Sequence, residues 1–223
     1  MGTGPPRTRP TRPPTSNPPL GVILAAAVVV LAYLGGSIPS GVLLARTVGI
    51  DVRRAGSGNI GATNVARTAG ARLGLFTLVA DVAKGYVPVM LVRSVVAGDV
   101  VPACVGFAAF LGHLFPPMLG FIGGKGVATA LGVSLALYPL ACLPAVAAFG
   151  LCLAAFRWVS VGSIAGAVVM PVAVWWLGYP RSHLGVAIVM AILIAIRHRG
   201  NVARLVAGTE PKALLKRQAE PTK

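Results

Sequence analysis

The chain alternates between long apolar runs and short polar segments. The apolar runs cover residues 20–45, 73–96, 100–124, 126–156, 158–180 and 182–196. A helix needs about 20 apolar residues to cross a bilayer, and it satisfies its own backbone hydrogen bonds where lipid cannot. The pattern therefore predicts an all-α, polytopic membrane protein whose apolar runs cross the bilayer.

The run Gly126–Phe156 decides the number of crossings. Its 31 residues are too many for one span and few for two, and Pro139 near its middle breaks or turns a helix. If the polar segments at 51–72, 120–125 and 197–210 share one membrane face, an even number of spans must separate each pair. The run then counts as two short helices. The total is seven short transmembrane helices, with the polar motif loops on one face.

The charged residues indicate which face is cytoplasmic. The chain has 20 Lys and Arg against 5 Asp and Glu, and 11% charged residues where a soluble domain has about 25%. The motif face holds most of the loop cations, namely Arg53, Arg54, Arg67, Arg72, Lys125, Arg157, Arg197, Arg199 and Arg204. Arg93 and Arg181 lie on the other face. The positive-inside rule predicts a cell-membrane protein with a cytoplasmic motif face, an external N-terminus and a cytoplasmic C-terminus, although the basic N-terminal tail opposes this orientation.

The same pattern predicts three regions. Residues 1–19 are rich in proline and predict a disordered tail, residues 20–210 form the seven-helix domain, and residues 211–223 form a cytoplasmic tail. The cations sit between apolar runs, so the expected partners are anionic substrates and membrane lipids, and no nucleic acid. The three cysteines (Cys104, Cys142 and Cys152) lie inside apolar runs and are interpreted as packing residues; the spacing of candidate ligands predicts no metal site.

The polar segment Gly56–Arg67 has the composition of an anion-binding loop. It reads G-S-G-N-I-G-A-T-N-V-A-R, and its glycines let backbone N–H groups converge on an anion. Side-chain donors come from Ser57, Asn59, Thr63 and Asn64. Arg67 adds a fork that suits a phosphate or carboxylate. An ordinary surface turn is the alternative.

A second cluster, Gly123–Gly126, precedes an apolar helix and has the features of a phosphate cradle. Gly123, Gly124 and Gly126 are expected to expose N–H groups. Lys125 supplies a point charge, and the helix N-terminus favours an anion. The Walker A spacing is missing, and a positively flanked turn is the alternative. His113, in the preceding span, is a candidate ligand, although such a histidine more often packs at a helix end.

The third cluster runs from Arg197 to Glu210. His198 and Asn201 are three residues apart and share a helix face beside two arginines, and Glu210 is expected to pair with a cation. A stop-transfer anchor is the alternative. Inside the second apolar run, Asp81 and Lys84 are also three residues apart and are expected to pair.

Three clusters rich in glycine and cations on one face predict a site for phosphorylated ligands. The motifs contain neither a Ser-His-Asp set nor paired carboxylates. We therefore expect an activated donor and catalysis by positioning and electrostatics, without a cofactor.

These motifs closely resemble the bacterial membrane-integral acyl-phosphate:glycerol-3-phosphate acyltransferase family. The similarity rests on S-G-N-I-G-A-T-N-V-A-R at 57–67, G-H-L-F-P at 112–116, G-G-K-G-V-A-T at 123–129, R-H-R-G-N at 197–201 and G-T-E at 208–210, and it covers about residues 20–210. It implies a seven-helix enzyme that transfers a fatty acyl group from acyl phosphate to the sn-1 hydroxyl of glycerol 3-phosphate. The products would be lysophosphatidic acid and inorganic phosphate, in the first step of phospholipid biosynthesis.

The resemblance also implies roles for individual residues. The catalytic candidates are Ser57, Arg67, His198 and Asn201. The substrate-binding candidates are Gly123, Gly124, Lys125 and Gly126, and Glu210 is implied to be structural. The side-chain donors of the first cluster add Asn59, Thr63 and Asn64 to the substrate-binding candidates. Our hypothesis is direct attack by the substrate hydroxyl, with Arg67 and Lys125 neutralising the two phosphates. The proton passes to His198 or to a substrate phosphate, and both routes stay open.

Two other classes of protein fit parts of the pattern. A transporter for a phosphorylated solute would use Asp81 and Lys84 along its permeation path. A basic scaffold for anionic lipid would explain the cations but leave the glycine clusters without a purpose. Synthesis of lysophosphatidate by the purified protein distinguishes the enzyme from both.

Overall fold

The computed structural model describes residues 20–213, and helices dominate this part of the chain. In chain order the α-helices are α1 (Leu20–Gly36), α2 (Ser40–Arg46), α3 (Ala62–Thr68), α4 (Ala71–Arg93), α5 (Val100–Leu114), α6 (Val127–Leu137), α7 (Cys142–Phe156), α8 (Val159–Trp176), α9 (Arg181–Arg197) and α10 (Arg199–Val206). No strand occurs between residues 20 and 213, which confirms the all-α class. The predicted tail 1–19 and residues 214–223 of the predicted C-terminal tail lie outside the described residues.

Length and composition qualify most of these helices as membrane spans. Within the described residues, five stretches are long and apolar enough, namely Leu20–Arg46, Ala71–Arg93, Val100–Leu119, Pro139–Phe156 and Val159–Trp176. A sixth results if α9 and α10, which meet at a bend of 47°, count together. Helix α6 has only 11 residues, so at about 16 Å it is shorter than the roughly 30 Å hydrocarbon core. The membrane class is confirmed, and the count of seven crossings stays a prediction.

The predicted break in the long apolar run is confirmed. Helix α6 ends at Leu137, a 3-10 turn covers Pro139–Ala141, and α7 begins at Cys142. Proline has no N–H for a helical hydrogen bond and disfavours the helical conformation in the residue before it, here Tyr138, which is not helical. Two helices therefore replace one, and their turn lies at the end of the bundle opposite the motif loops.

Glycines allow two helix pairs to meet at backbone distance. Between α1 and α5, a Cβ on Gly36 would lie 2.0 Å from the carbonyl oxygen of Ala109. Between α4 and α6, a Cβ on Gly132 would lie 2.0 Å from the carbonyl oxygen of Val82. Close contact of this kind is how membrane helices associate, because lipid removes the hydrophobic drive between them. The short helix α6 is held against α4 in this way.

The predicted ion pair inside α4 is confirmed. The ammonium of Lys84 lies 2.8 Å from Oδ1 of Asp81, and the two side chains are 9% and 3% exposed. The same ammonium donates to the carbonyl oxygen of Ile38 at 3.0 Å. Each charge thus has a partner within the bundle, and α4 is tied to the linker between α1 and α2.

A small second core supports the first polar motif. Five apolar residues before and within that motif are buried together, apart from the main core: Val42, Ala45, Val52, Ile60 and Val65. The loop between α2 and α3 therefore has its own hydrophobic anchor, which holds its polar residues beside the membrane bundle.

Candidate active site

A groove with a volume of about 650 Å³ lies between α3 and α4 on one side and α6 to α9 on the other. Residues of all three predicted clusters line its polar end, namely Ser57, Asn59, Thr63, Asn64, Arg67, Lys125, Gly126, His198, Asn201 and Glu210. Most of its remaining length is lined by apolar side chains of α4, α6, α7, α8 and α9. The three clusters thus meet in one place, as the common membrane face predicts.

The side chain of Asn64 holds the first cluster in shape. Its amide nitrogen donates to the carbonyl oxygens of Val52, Ala55 and Asn59 at 3.0, 3.1 and 2.9 Å. Its Oδ1 accepts the N–H of Ser57 at 2.9 Å, and the residue is only 2% exposed. These bonds engage both polar atoms of the amide, so we propose that Asn64 organises the loop instead of binding substrate.

Ser57 and Arg67 stand at the two ends of this cluster and both face the groove. Ser57 is exposed, and Gly56 before it has φ +59, with the space of its Cβ taken by Oδ1 of Asn64 at 2.3 Å. The guanidinium of Arg67 donates to the carbonyl oxygen of Lys212 at 3.5 Å. Within residues 20–213 no carboxylate forms a salt bridge with Arg67. Its charge is therefore available to an anionic ligand.

The first two glycines of the second cluster serve close packing. A Cβ on Gly124 would lie 2.1 Å from Nε2 of His113, and a Cβ on Gly123 would lie 2.2 Å from the carbonyl oxygen of His113. The N–H of Gly123 donates to Leu114 at 3.0 Å, and that of Gly124 donates to His113 at 3.1 Å. Their carbonyl oxygens accept hydrogen bonds from the Arg197 guanidinium. The expectation of free N–H groups at these two glycines is wrong, because carbonyl oxygens at the end of α5 accept both N–H groups. Neither glycine lines the groove.

Lys125 and Gly126 do line the groove, at the start of α6. The ammonium of Lys125 donates to Oδ1 of Asn201. Burial lowers the pKa of Lys125 to about 8, although the carboxylate of Glu210 opposes this shift. The side chain is mostly charged at neutral pH, and an anionic ligand beside it would stabilise that charge further.

Glu210 connects the third cluster to α8. Its Oε1 accepts hydrogen bonds from Asn201 at 2.6 Å and from the Ser160 hydroxyl at 2.8 Å. Its Oε2 accepts from Arg204 at 2.8 Å, which confirms the predicted pairing with a cation. Burial would raise the pKa of Glu210, but these hydrogen bonds lower it overall. The ionised carboxylate thereby holds the Asn201 amide with its oxygen turned towards Lys125.

His198 stands at the break between α9 and α10 and is 2% exposed. Its Nδ1 lies 2.8 Å from the carbonyl oxygen of Ile194. An acceptor at that distance assigns the proton to Nδ1 and leaves Nε2 as a hydrogen-bond acceptor. Burial lowers the pKa of His198 to about 4, so the ring is neutral at pH 7. It can accept a hydrogen bond from a substrate hydroxyl, but it is a weak base.

Three polar residues of the site have no role in the sequence-based hypothesis. Arg197 and Arg204 belong to the third cluster, and the expected pairing of Glu210 with a cation is met by Arg204. The contacts of Arg197 with the carbonyl oxygens of Gly123 and Gly124 could not be predicted from the sequence. Ser160 lies 50 residues from Glu210 and belongs to none of the three clusters. Within the described residues, no group of three or more His, Cys, Asp and Glu could hold a metal ion.

Comparison with known proteins shows which class this site belongs to. The family model described as Glycerol-3-phosphate acyltransferase matches residues 26–208. The chain belongs to the glycerol-3-phosphate acyltransferase family. This confirms the resemblance predicted from the three motifs, and with it the acyltransferase class.

Curated relatives and solved structures agree with this membership. The chain is 50% identical over 181 residues to the glycerol-3-phosphate acyltransferase of Trichlorobacter lovleyi, covering 81% of this chain and 93% of the relative. It is 49% identical over 180 residues to that of Geobacter sulfurreducens, with the same coverage. The crystal structure of PlsY (YgiH), an integral membrane glycerol 3-phosphate acyltransferase, in its glycerol 3-phosphate form has a TM-score of 0.81 and 40% identity, covering 85% of this chain and 95% of that one. Its lysophosphatidic acid form has a TM-score of 0.79 and 39% identity. The predicted integral membrane location is thus confirmed.

Proposed function

We propose that this acyltransferase moves a fatty acyl group from acyl phosphate to the sn-1 hydroxyl of glycerol 3-phosphate. The products are lysophosphatidic acid and inorganic phosphate. The observation that carries the proposal is one groove with a cationic end and an apolar remainder. Such a groove suits a donor with a phosphate head and a hydrocarbon chain, with a small phosphorylated acceptor beside the head. The glycerol 3-phosphate and lysophosphatidic acid forms of PlsY support this choice of acceptor and product.

Two cations from different elements serve the two phosphates. Arg67 comes from α3 and has no carboxylate partner among the described residues, and Lys125 precedes α6. The first N–H groups of α6 add donors, because its cap Gly126 makes no side-chain hydrogen bond to them. A helix N-terminus favours an anion and acts together with the lysine charge.

The reaction is a direct displacement. The substrate hydroxyl oxygen attacks the acyl carbonyl carbon, the bond from that carbon to the phosphate oxygen breaks, and inorganic phosphate leaves. Nε2 of His198 accepts a hydrogen bond from the hydroxyl and orients it. Since the pKa of His198 is about 4, the proton passes to a substrate phosphate, which is the better base near neutral pH. Ser57 and Asn201 orient the donor and the acceptor.

The groove's polar end is assigned to the cytoplasmic face. Arg53, Arg54 and Arg72 lie beside the first cluster and are exposed, with Asp51 as the acidic partner of the first two. Their excess positive charge agrees with the positive-inside rule. This orientation puts the N-terminus outside and the C-terminus in the cytoplasm, with α6 and α7 as two short crossings among seven. The acyl chain then lies within the cytoplasmic leaflet.

A transporter receives no support from the charges inside α4. Asp81 and Lys84 pair with each other at 2.8 Å, and the ammonium is also bound to the Ile38 carbonyl. Both charges therefore have a structural explanation that needs no permeating solute.

The proposal is tested by removing single cations. Lys125→Met and Arg67→Met keep much of the side-chain length and remove the charge, and each is expected to lower kcat/KM for glycerol 3-phosphate by about 100-fold or more. Arg72→Met is the matched control, because Arg72 is exposed and does not line the groove. Lysophosphatidate is measured with purified, folded protein. Near-normal turnover in either site variant, or an equal loss of turnover in the control, would contradict the assignment of Lys125 and Arg67 to phosphate binding.

A further inference from the structure

The apolar part of the groove is lined largely by small side chains on its deeper side. Helix α8 contributes Gly166 and Ala167, and α9 contributes Ala187 and Ala191. Small residues on these neighbouring helices leave an apolar channel, because neither helix fills the space between them. The residues that set the length of this channel lie outside the three motifs.

The far end of the groove is lined by three helices. Its last lining residues are Ser134 on α6, Met170 on α8 and Ala187 on α9. About four residues away along the chain lie three buried residues, Tyr138 just after α6, Val174 on α8 and His183 on α9, which are 0%, 0% and 3% exposed. The rings of Tyr138 and His183 lie 6.0 Å apart. The channel is therefore closed at this end by packed side chains.

The distance from the polar end to this closure follows from helix geometry. From Ser160 to Met170 along α8, and from His198 to Ala187 along α9, the rise is roughly 15 to 17 Å. An extended hydrocarbon chain advances about 1.25 Å per carbon, from 1.5 Å bonds at tetrahedral angles. The channel therefore holds about twelve or thirteen carbons beyond the carbonyl carbon.

We propose that Met170 and Ala187 form a floor that selects acyl donors of about fourteen carbons. The inference rests on the proposed function and deepens it. A shorter chain leaves a void above the floor, and a longer one has to bend towards lipid between α4 and α7, where Leu78 and Val146 are 41% and 51% exposed. Lipid is as apolar as the groove, so an acyl chain gains little free energy by moving from one to the other. The preference for a chain length therefore depends on how well the end of the acyl chain packs against the floor.

The test compares acyl phosphates from decanoyl to octadecanoyl phosphate with glycerol 3-phosphate as acceptor. Ala187→Phe places a ring where about three terminal carbons would lie, so kcat/KM for tetradecanoyl relative to decanoyl phosphate is expected to fall about tenfold or more. Met170→Ala deepens the channel and is expected to move the optimum to a longer chain. Ala195→Phe makes the same change at an exposed position of α9 outside the groove, and its chain-length profile is expected to match that of the wild type.

The possible outcomes distinguish a failure of the proposed floor from a failure of the proposed function. If the wild type makes lysophosphatidate but neither floor variant changes its chain-length profile, Met170 and Ala187 do not form the floor. If Ala187→Phe is not recovered in folded form, Met170→Ala decides alone, since it only removes atoms. If the wild type uses none of these donors, the proposed function fails.

Discussion

Gly124 offers the sharpest test of how the second cluster is built. A Cβ at this position would lie 2.1 Å from Nε2 of His113. Carbon atoms in ordinary contact are about 3.5–4.0 Å apart, so Gly124→Ala must move the loop or the ring by more than about 1 Å. Lys125 follows directly, and a displacement of that size at a catalytic group costs on the order of 100-fold in rate. Gly124→Ala is therefore expected to lower turnover about 100-fold.

A second substitution separates this steric cause from others. His113→Ala removes the ring that the new Cβ would meet. Gly123→Ala is the matched control, because its Cβ would meet the backbone oxygens of His113 and Leu114, at 2.2 and 2.7 Å. No change of the His113 side chain removes those two atoms, so His113→Ala should rescue Gly124→Ala but not Gly123→Ala.

The assay is lysophosphatidate formation by the wild type, the three single variants and the two double variants. In the His113→Ala background, Gly124→Ala is expected to cost less than about threefold, whereas Gly123→Ala stays as harmful as before. If the His113→Ala variant itself has low activity, the melting temperatures of the same variants in detergent provide a second test of the rescue. Equal losses for Gly124→Ala in both backgrounds would refute the steric explanation.

Three further predictions concern single groups. Burial lowers the pKa of Lys125 to about 8, so its positive charge is lost as the pH rises through that value. The KM for glycerol 3-phosphate should then rise up to about tenfold per pH unit above it. A KM that stays constant at alkaline pH would be inconsistent with this role. Asn64→Asp replaces a donor among three carbonyls with an acceptor and should lower the free energy of unfolding by about 3 kcal/mol; an unchanged melting temperature would refute it. Glu210→Gln should slow turnover about tenfold by releasing Asn201, and lysophosphatidate formation at the wild-type rate would contradict that.

Some features of the fold depend on local chemistry and are predictable from the chain alone. The break before α7 follows from Pro139 together with the length of its apolar run, which is too long for one span. Proline alone would not predict it, because α4 and α8 continue through Pro88 and Pro171. The pairing of Asp81 with Lys84 follows from their spacing on one helix and the cost of an unpaired charge in lipid. The meeting of the three clusters in one groove agrees with the premise that their segments share one membrane face. Each of these inferences needs only one segment or a simple order of segments.

Other features depend on which elements are neighbours. The N–H groups of Gly123 and Gly124 donate hydrogen bonds to carbonyl oxygens at the end of α5. No pattern in the sequence predicts this contact. Ser160 joins the site because α8 begins beside Glu210. Hydrophobic periodicity shows which residues avoid water, but it does not show which helices touch. The direction of individual hydrogen bonds in the site therefore required the structure.

Direct acyl transfer is tested most directly by following both products at once. Purified protein is given acyl phosphate with and without glycerol 3-phosphate, and lysophosphatidate, inorganic phosphate and protein-bound acyl groups are measured. The proposed mechanism predicts equal amounts of the first two, formed only when glycerol 3-phosphate is present, and no acylated protein. Phosphate release without glycerol 3-phosphate, together with an acyl group on the protein, would contradict it.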